Sequence, residues 1–218
     1  SWIDAHAPAD VSARFSEPLT SMLTDSKECM LRVIHYPALA GVEVEEGAVR
    51  AAAHEDINLI TLLLAGSAPG LQAQDQSGQW HDVPCDRGMI VVNAGDMLSL
   101  ASGGIFPSTT HRVVNPSDFQ LGGARLSMPM FVHPRPEVSL SNDKTASQYL
   151  NERLMEIGLV AAVLYHALNG IRVMLIDFWS KGPQYQKPML WAIAVVWLVV
   201  MIPGAGRIFY NMFTAGGH

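Results

Sequence analysis

The sequence predicts a mainly β protein, a double-stranded β-helix (jelly roll) with flanking helices, followed by two apolar transmembrane helices. Short runs rich in Val, Ile and Leu alternate with turn residues in the first part of the chain, a pattern typical of antiparallel sandwiches and barrels. The composition changes near Gly158, after which apolar residues dominate. We therefore divide the chain into a jelly-roll domain at residues 1-158 and a two-helix segment at residues 159-218.

Eight short runs carry the strand prediction, and Gly, Pro, Asn and Asp separate nearly all of them. The runs are residues 30–36, 51–56, 59–64, 71–74, 80–83, 89–93, 109–114 and 125–132. About eight short strands of this kind favour a jelly roll. Residues 145–157 then predict a helix, with Thr145 as its N-cap.

The second segment contains two long uncharged stretches. Residues 157–171 and 188–206 carry no formal charge, and roughly 18 to 20 apolar residues suffice to cross a hydrocarbon core as a helix. The first stretch continues through Arg172 and Asp177, and charges inside a span usually face a partner, a cofactor or water. The alternative is a pair of buried helices in a soluble protein. We expect residues 159-218 to be associated with a membrane.

Charge and cysteine content exclude several classes of function. The net charge is -6 and no basic block occurs, so nothing favours a nucleic-acid partner. Two cysteines, Cys29 and Cys85, are too few for a disulfide framework or a cysteine-based zinc site. Free thiols suit a reducing compartment, and we expect a cytoplasmic location for the first segment. Because the chain opens with Ser-Trp-Ile-Asp rather than Met, we expect it to be a piece of a longer protein.

One set of residues has the spacing of a metal site. His54-Glu55-Asp56 provides a His-x-Asp pair at the end of a predicted strand, and His111 lies on a later one. Two histidines and one carboxylate form the facial triad of non-haem Fe(II) enzymes, which leaves positions open for an oxoacid and O₂. On its own, a His-x-Asp pair is equally well explained as a surface loop.

A possible anion site follows the triad. Arg125 and Ser127 lie two apart, on one face of a predicted strand. A buried guanidinium beside a hydroxyl binds a carboxylate through charge-assisted hydrogen bonds.

These motifs resemble the isopenicillin N synthase-like family of Fe(II)/2-oxoglutarate-dependent oxygenases, in particular its C-terminal catalytic half. The motifs that carry the resemblance, in family order, are His54-Glu-Asp-Ile-Asn-Leu-Ile-Thr61, Gly70-Leu-Gln72, Val92-Asn-Ala-Gly-Asp96, Ser108-Thr-Thr-His-Arg-Val113 and Arg125-Leu-Ser127. The resemblance implies Fe(II) ligands at His54, Asp56 and His111, and 2-oxoglutarate anchors at Arg125 and Ser127. It also implies a supporting role for the hydroxyl of Tyr36. A variant found within the family uses the same triad without 2-oxoglutarate, and its Arg-x-Ser pair binds a substrate carboxylate.

The apolar segment has a resemblance of its own. Tyr165-His166, Gly170-Ile-Arg172 and Asp177 resemble the haem-binding helix of the cytochrome b membrane anchor of succinate dehydrogenase. This resemblance implies haem b ligated by His166, with Arg172 near a propionate, and other succinate dehydrogenase subunits as partners. The alternative for His166 is a buried side chain bonded to a backbone carbonyl.

The leading functional hypothesis is therefore a non-haem Fe(II), 2-oxoglutarate-dependent dioxygenase that oxidises an unknown small molecule with O₂. The alternative is a haem b-ligating membrane anchor fragment of a succinate dehydrogenase-like complex. A third hypothesis is a non-functional mosaic of the two segments. No Gly-, Ser- or Pro-rich linker separates the segments at residues 157–160, so we expect that they do not operate together.

Overall fold

The fold is described from a computed structural model. The described residues are 2–39, 48–64, 66–84, 86–115, 123–179 and 181–214, with side chains described from residue 3 to residue 201. Cys85 and Ser180 lie outside this part of the chain. The chain divides into two compact units, Ser1–Tyr149 and Leu150–His218.

The first unit opens with three short helices that the sequence did not predict. They are α1 (Trp2–His6), α2 (Ala9–Ser12) and α3 (Leu19–Leu23). The Asp4 carboxylate accepts hydrogen bonds from the backbone N–H of Leu19, at 2.8 Å, and from the Thr20 hydroxyl, at 2.6 Å. An acidic side chain of α1 therefore satisfies N–H groups that the start of α3 leaves unpaired.

Ten strands of the first unit form three antiparallel sheets in the described part of the chain. The strands are β1 (Met30–Leu31), β2 (Ile34–Tyr36), β3 (Val49–His54), β4 (Ile60–Leu64), β5 (Leu71–Gln74), β6 (Trp80–Asp82), β7 (Ile90–Ala94), β8 (His111–Val114), β9 (Arg125–Ser127) and β10 (Pro129–Val132). Two sheets have four strands, in the orders β1-β10-β4-β7 and β3-β8-β5-β6, and β2 pairs with β9 in a third.

Two predicted strands are each divided in the structure. Residues 30–36 form β1 and β2, and residues 125–132 form β9 and β10. β1 pairs with β10 in one sheet, whereas β2 pairs with β9 in another. The chain therefore changes sheets near Val33 and again at Met128, which continuous apolar runs do not reveal.

A further helix, α4 (Asp96–Ser102), follows β7. The sequence did not predict a helix here. Met97, Leu98 and Ala101 are buried, and Gly103 ends the helix with φ 66°, a left-handed conformation that favours glycine. Asp96, in the first turn, is buried, and its carboxylate accepts a hydrogen bond from the Tyr149 hydroxyl at 3.3 Å. The helix packs its apolar face into the core of the first unit.

The long helix α5 (Ala146–Phe178) begins as predicted but does not end at Ile157. The backbone N–H of Gln148 donates to the Thr145 hydroxyl, at 3.3 Å, and the Thr145 N–H donates to the Gln148 side-chain oxygen, at 2.9 Å. This reciprocal pair is a capping box, which confirms Thr145 as the N-cap. Gly158 lies within the helix without breaking it.

The second unit contains the rest of α5, a 3₁₀ turn (Gly182–Tyr185) and α6 (Gln186–Thr214). The Trp197 indole N–H donates to the Ala161 carbonyl at 2.8 Å, which connects α6 with α5. In the described part of the chain, one helix, α5, is long and apolar enough to cross a membrane, and its apolar stretch is not buried. The prediction of two spanning helices is thus not confirmed for α6.

Candidate metal centre

The pairing of β3 with β8 places His54 opposite His111. Asp56 follows two residues after His54, beyond the end of β3. One ligand atom from each of the three side chains lies within 4.8 Å of the other two. The imidazole rings of His54 and His111 have centroids 4.3 Å apart. The structure thus brings together the three residues with triad spacing, and a single ion can contact all of them.

Hydrogen bonds fix the orientation of both imidazole rings. The Nδ1–H of His54 donates to the Ala52 carbonyl at 2.8 Å, and the Nδ1–H of His111 donates to the Thr109 carbonyl at 3.0 Å. A carbonyl oxygen can only accept, so each Nδ1 carries a proton and Nε2 is the ring nitrogen left to bind a metal ion. Metal-binding histidines are commonly oriented in this way.

The environment of His111 favours its neutral form. Burial lowers the pKa of His111 below its ordinary value, and the nearby charge of Asp56 only partly opposes this effect. A neutral imidazole is the form that binds a metal ion. Burial therefore favours the form of His111 that can act as a ligand.

Three polar side chains orient Asp56, which is itself buried. Its Oδ2 accepts hydrogen bonds from the Thr61 hydroxyl, at 2.6 Å, and from the Asn93 amide, at 2.9 Å. Thr61 and Asn93 are register partners on β4 and β7. The Asn58 amide donates to Thr61 at 2.9 Å. The other oxygen of Asp56, Oδ1, lies 4.0 Å from His111 Nε2, so it is the oxygen directed at the shared site.

The roles of these supporting residues were not predicted from the sequence. The residues Asn58, Thr61 and Asn93 all lie within the motifs that carry the family resemblance. Their place in these motifs is the sequence feature from which a supporting role could have been predicted. A Cβ atom at Gly95 would lie 2.8 Å from the Asp56 carbonyl oxygen and closer still to Asn58. The Asp96 N–H donates to the same Asp56 carbonyl at 2.8 Å. Glycine is therefore required where the start of α4 packs against the loop that carries Asp56.

The predicted oxoacid anchors also lie together. In the pairing of β2 with β9, Tyr36 is opposite Arg125 and Ile34 is opposite Ser127. Arg125 is 1% exposed and Ser127 is buried, whereas Leu126 between them is exposed. The guanidinium carbon of Arg125 is 5.6 Å from the centroid of the Tyr36 ring. Arg125 and Ser127 are therefore both buried on β9, and the Arg125 guanidinium lies beside the Tyr36 ring.

The backbone accommodates the Arg125 side chain closely. Its Nε–H donates to the Ala68 carbonyl at 3.0 Å. A Cβ atom at Gly66 would lie 2.8 Å from Nη2 of Arg125. The segment before β5 thus holds the guanidinium in one orientation, as recognition of a carboxylate requires.

The predicted haem residues are not brought onto one face. His166 is exposed on α5, whereas Arg172 is half-buried and donates to the Asn169 side-chain oxygen at 2.9 Å. Six residues correspond to about 600° of helix rotation, so the two side chains point in different directions.

Comparison with known proteins identifies the first segment. Residues 27–134 match the model of the 2OG-Fe(II) oxygenase superfamily. Over these residues the segment is similar to members of that superfamily. The oxygenase segment is 52% identical to an oxygenase of known structure from Shewanella oneidensis, with a TM-score of 0.67, and the match covers 72% of this chain and 57% of that chain. It is also 37% identical over 129 residues to a 2-oxoglutarate-Fe(II) type oxidoreductase from Emericella nidulans, covering 59% of this chain and 35% of the relative.

These relatives are oxidoreductases of the jelly-roll class, so the predicted fold and family of the first segment are confirmed. The chain spans a little over half of the Shewanella protein and about a third of the Emericella protein.

The second resemblance is confirmed as well. Residues 138–202 match the model of the succinate dehydrogenase/fumarate reductase transmembrane subunit. A stretch of 60 residues is 72% identical to the succinate dehydrogenase 2 membrane subunit SdhC of Mycobacterium tuberculosis, covering 28% of this chain and 44% of the relative. The match begins before α5, so it overlaps the predicted end of the oxygenase domain at residue 158.

Proposed function

We propose that residues 1-158 carry the site of an Fe(II)- and 2-oxoglutarate-dependent dioxygenase that oxidises a small molecule with O₂. In this proposal His54, Asp56 and His111 bind Fe(II). Arg125, Ser127 and Tyr36 bind the carboxylate of 2-oxoglutarate that is remote from the metal. A reducing, cytoplasmic location suits this segment, because Fe(II) and free thiols persist there.

The observation that carries the proposal is the convergence of three ligand atoms within 4.8 Å. The donor set fits Fe(II), since two imidazoles and one carboxylate on one side leave the other positions accessible. Each histidine offers Nε2 because its Nδ1 is already bonded. The bound metal with its oxoacid would supply O₂ activation.

The protein's own contribution is orientation. Thr61 and Asn93 hold one oxygen of Asp56, so the other is directed towards the metal position. Arg125 can pair with a carboxylate through two parallel hydrogen bonds, while Ser127 and Tyr36 add hydroxyl donors. Together these contacts would fix the oxoacid in one pose, which is the geometric requirement for an efficient reaction.

An anaerobic titration of the full chain in detergent tests the proposal. We expect one equivalent of Fe(II) to bind, and a visible charge-transfer band to develop when 2-oxoglutarate is added. Admission of O₂ should then release succinate. Iron binding without succinate, but with oxidation of a carboxylate substrate, would favour the variant that uses no 2-oxoglutarate. Failure to bind iron would reject the proposal.

A second function is favoured by one observation, the 72% identity to a succinate dehydrogenase membrane subunit. In this alternative α5 and α6 both span the membrane, residues 159-218 associate with other succinate dehydrogenase subunits, and His166 ligates haem b. The exposure of His166 on α5 suits a ligand that meets haem between this helix and a partner. A Soret band in detergent extracts that His166→Ala abolishes would support this function, whereas an unchanged band would exclude His166.

A further inference from the structure

Glu55 and Thr110 face each other where the pairing of β3 and β8 stops. His54 and His111 are the last register partners, since β3 ends at His54 and β8 begins at His111. One step further in the same antiparallel register places Glu55 opposite Thr110. There the Thr110 hydroxyl donates to the Glu55 carboxylate at 2.6 Å. A side-chain hydrogen bond thus continues the pairing beyond the last backbone pair.

This contact lies on the reverse side of the ligands. Successive side chains of an extended segment alternate in direction, so His54 and Asp56 point one way and Glu55 points the other. In agreement, Glu55 is not among the side chains that converge on the shared metal position. Glu55 is therefore not a fourth ligand, although it lies between two of them.

The neighbouring backbone pairing gives the ligands little support. The register of β3 against β8 shifts between Val49 and Ala51 and again between Ala51 and His54. Thr110, by contrast, is fixed to β5, because its carbonyl accepts the Gln74 N–H at 2.8 Å. The hydrogen bond to Thr110 therefore connects the His54-x-Asp56 segment to a more regular part of the sheet.

We propose that Glu55 and Thr110 are positioning residues whose hydrogen bond sets the distance between the His54/Asp56 pair and His111. This inference rests on the proposed function, because it concerns the same metal site. It assigns a role to the middle residue of the His-x-Asp motif, and to the residue before the last histidine.

Metal affinity tests the inference independently of turnover. Co²⁺ would be titrated anaerobically into the full chain in detergent, and its visible ligand-field spectrum recorded for each variant. Thr110→Val and Glu55→Leu remove the hydrogen bond from either side, and each should weaken Co²⁺ binding about 10-fold and shift the spectrum. The double variant should have about the same affinity for Co²⁺ as the single variant with the lower affinity. Both changes remove one shared contact, so their effects should not add.

Conservative and control variants separate this role from others. Thr110→Ser keeps the hydroxyl and should restore both affinity and spectrum. Asp82→Asn changes a carboxylate that accepts a cross-strand bond from Gln72, at 2.9 Å, in the same sheet, and should leave Co²⁺ binding unchanged. Circular dichroism would verify folding, and Thr110→Ala replaces Thr110→Val if the latter does not fold.

Several outcomes would overturn the inference. An affinity for Co²⁺ in Thr110→Val equal to that of the parent chain would do so. A fold-loss of affinity in the double variant equal to the product of the two single losses would also do so. An effect of Glu55→Gln as large as that of Glu55→Leu, without an effect of Thr110→Val, would assign the role to the charge of Glu55 instead. If the parent chain bound no Co²⁺ or Fe²⁺, the proposed function would fail together with this inference. Failure of the variants alone would reject only the positioning role.

Discussion

At the scale of single residues, His111 has the more constrained position of the two histidines in the candidate metal centre. It is half-buried, its Nδ1 is engaged by the Thr109 carbonyl, and its pKa is lowered by burial. His54 is more exposed, and its Nδ1 is engaged by the Ala52 carbonyl. Loss of His111 should therefore affect metal binding at least as strongly as loss of His54.

His111→Ala should lose most of the bound Fe(II), because two ligands remain where a facial site needs three. The measurement is anaerobic equilibrium dialysis followed by metal analysis. His81→Ala is the control, since His81, on β6, pairs with Asp75, in the turn between β5 and β6, at 2.6 Å and outside the cluster. Full iron occupancy and activity in His111→Ala would show that the ligand assignment is wrong.

Arg125→Leu should keep iron but weaken 2-oxoglutarate binding by about 2 to 5 kcal/mol, because the carboxylate would lose its buried partner. An anaerobic titration of the iron-loaded variant with 2-oxoglutarate measures the loss. Arg14→Leu, which removes an exposed positive charge, controls for the change in net charge. Unchanged affinity in Arg125→Leu would remove this arginine from the site.

The titration of His133 should make the free energy of unfolding of the first unit depend on pH. Burial lowers the pKa of His133, and the charges of Glu28 and Asp56 oppose this only in part. The unfolded chain takes up this proton near pH 6.5, so below that pH the unfolded state binds more protons than the folded one. The free energy of unfolding should therefore fall as the pH is lowered from 7 to 5.

The contribution of His133 can be isolated by substitution. His133→Gln cannot titrate, so its stability should fall less over the same range than that of the parent. Urea denaturation at several pH values measures the difference, and His6→Gln, at an exposed position, is the control. Parallel pH profiles for parent and His133→Gln would contradict this prediction.

The sequence indicated the candidate ligands but not their supports. A His-x-Asp pair and a later histidine are recognisable by spacing, and the pairing of β3 with β8 brings them together. The Thr61 and Asn93 contacts to Asp56 depend on how β4 and β7 approach the loop after β3. Such contacts between sheets have no spacing rule, so they could not be derived from the sequence.

Among the secondary-structure elements, strands were easier to predict than their partners. All eight predicted runs contain strands, because an alternation of apolar and polar residues reflects the alternating directions of side chains along a strand. The division of residues 30–36 and 125–132 depends on which sheet each half joins, and that is decided by tertiary pairing. The α4 helix was not predicted, although Gly95, Asp96 and Gly103 mark its two ends. The segment is short, and its glycine and asparagine residues are also typical of turns.

The capping box at the start of α5 gives a prediction for one element. Thr145→Ala removes the hydroxyl that accepts the Gln148 N–H, and should destabilise the first unit by about 1 kcal/mol. Thr145→Ser keeps this acceptor and should retain most of the stability. Hydrogen exchange of the first turn of α5, together with urea denaturation, measures the effect. Equal stability of Thr145→Ala and the parent would show that the cap contributes nothing.

For the whole molecule, the continuity of α5 matters most. The helix runs from the first unit into the second without a break at Gly158, although glycine costs about 1 kcal/mol relative to alanine inside a helix. The domain boundary predicted at residue 158 stays a prediction. Because the oxygenase segment precedes α5 in the chain, insertion of α5 into a membrane would determine the side on which that segment lies.

The charges beside the turn between α5 and α6 predict the membrane topology of the chain. Lys181 and Lys187 flank the turn between α5 and α6, and no acidic residue lies between them. The positive-inside rule therefore predicts a cytoplasmic location for this turn. If α5 crosses the membrane, the oxygenase segment emerges on the outer side, away from 2-oxoglutarate and the reducing conditions that Fe(II) requires. We therefore predict that the two segments do not operate together.

Cysteine labelling in intact cells tests this topology. In a background of Cys29→Ser and Cys85→Ser, a membrane-impermeant maleimide should label Asp143→Cys, just before α5, but not Gln184→Cys in the turn. After the cells are opened, both positions should react. Labelling of Gln184→Cys but not Asp143→Cys in intact cells would reverse the orientation, and would bring the oxygenase segment into contact with its cosubstrate. Succinate release by such an inserted protein would then contradict the prediction that the segments do not operate together.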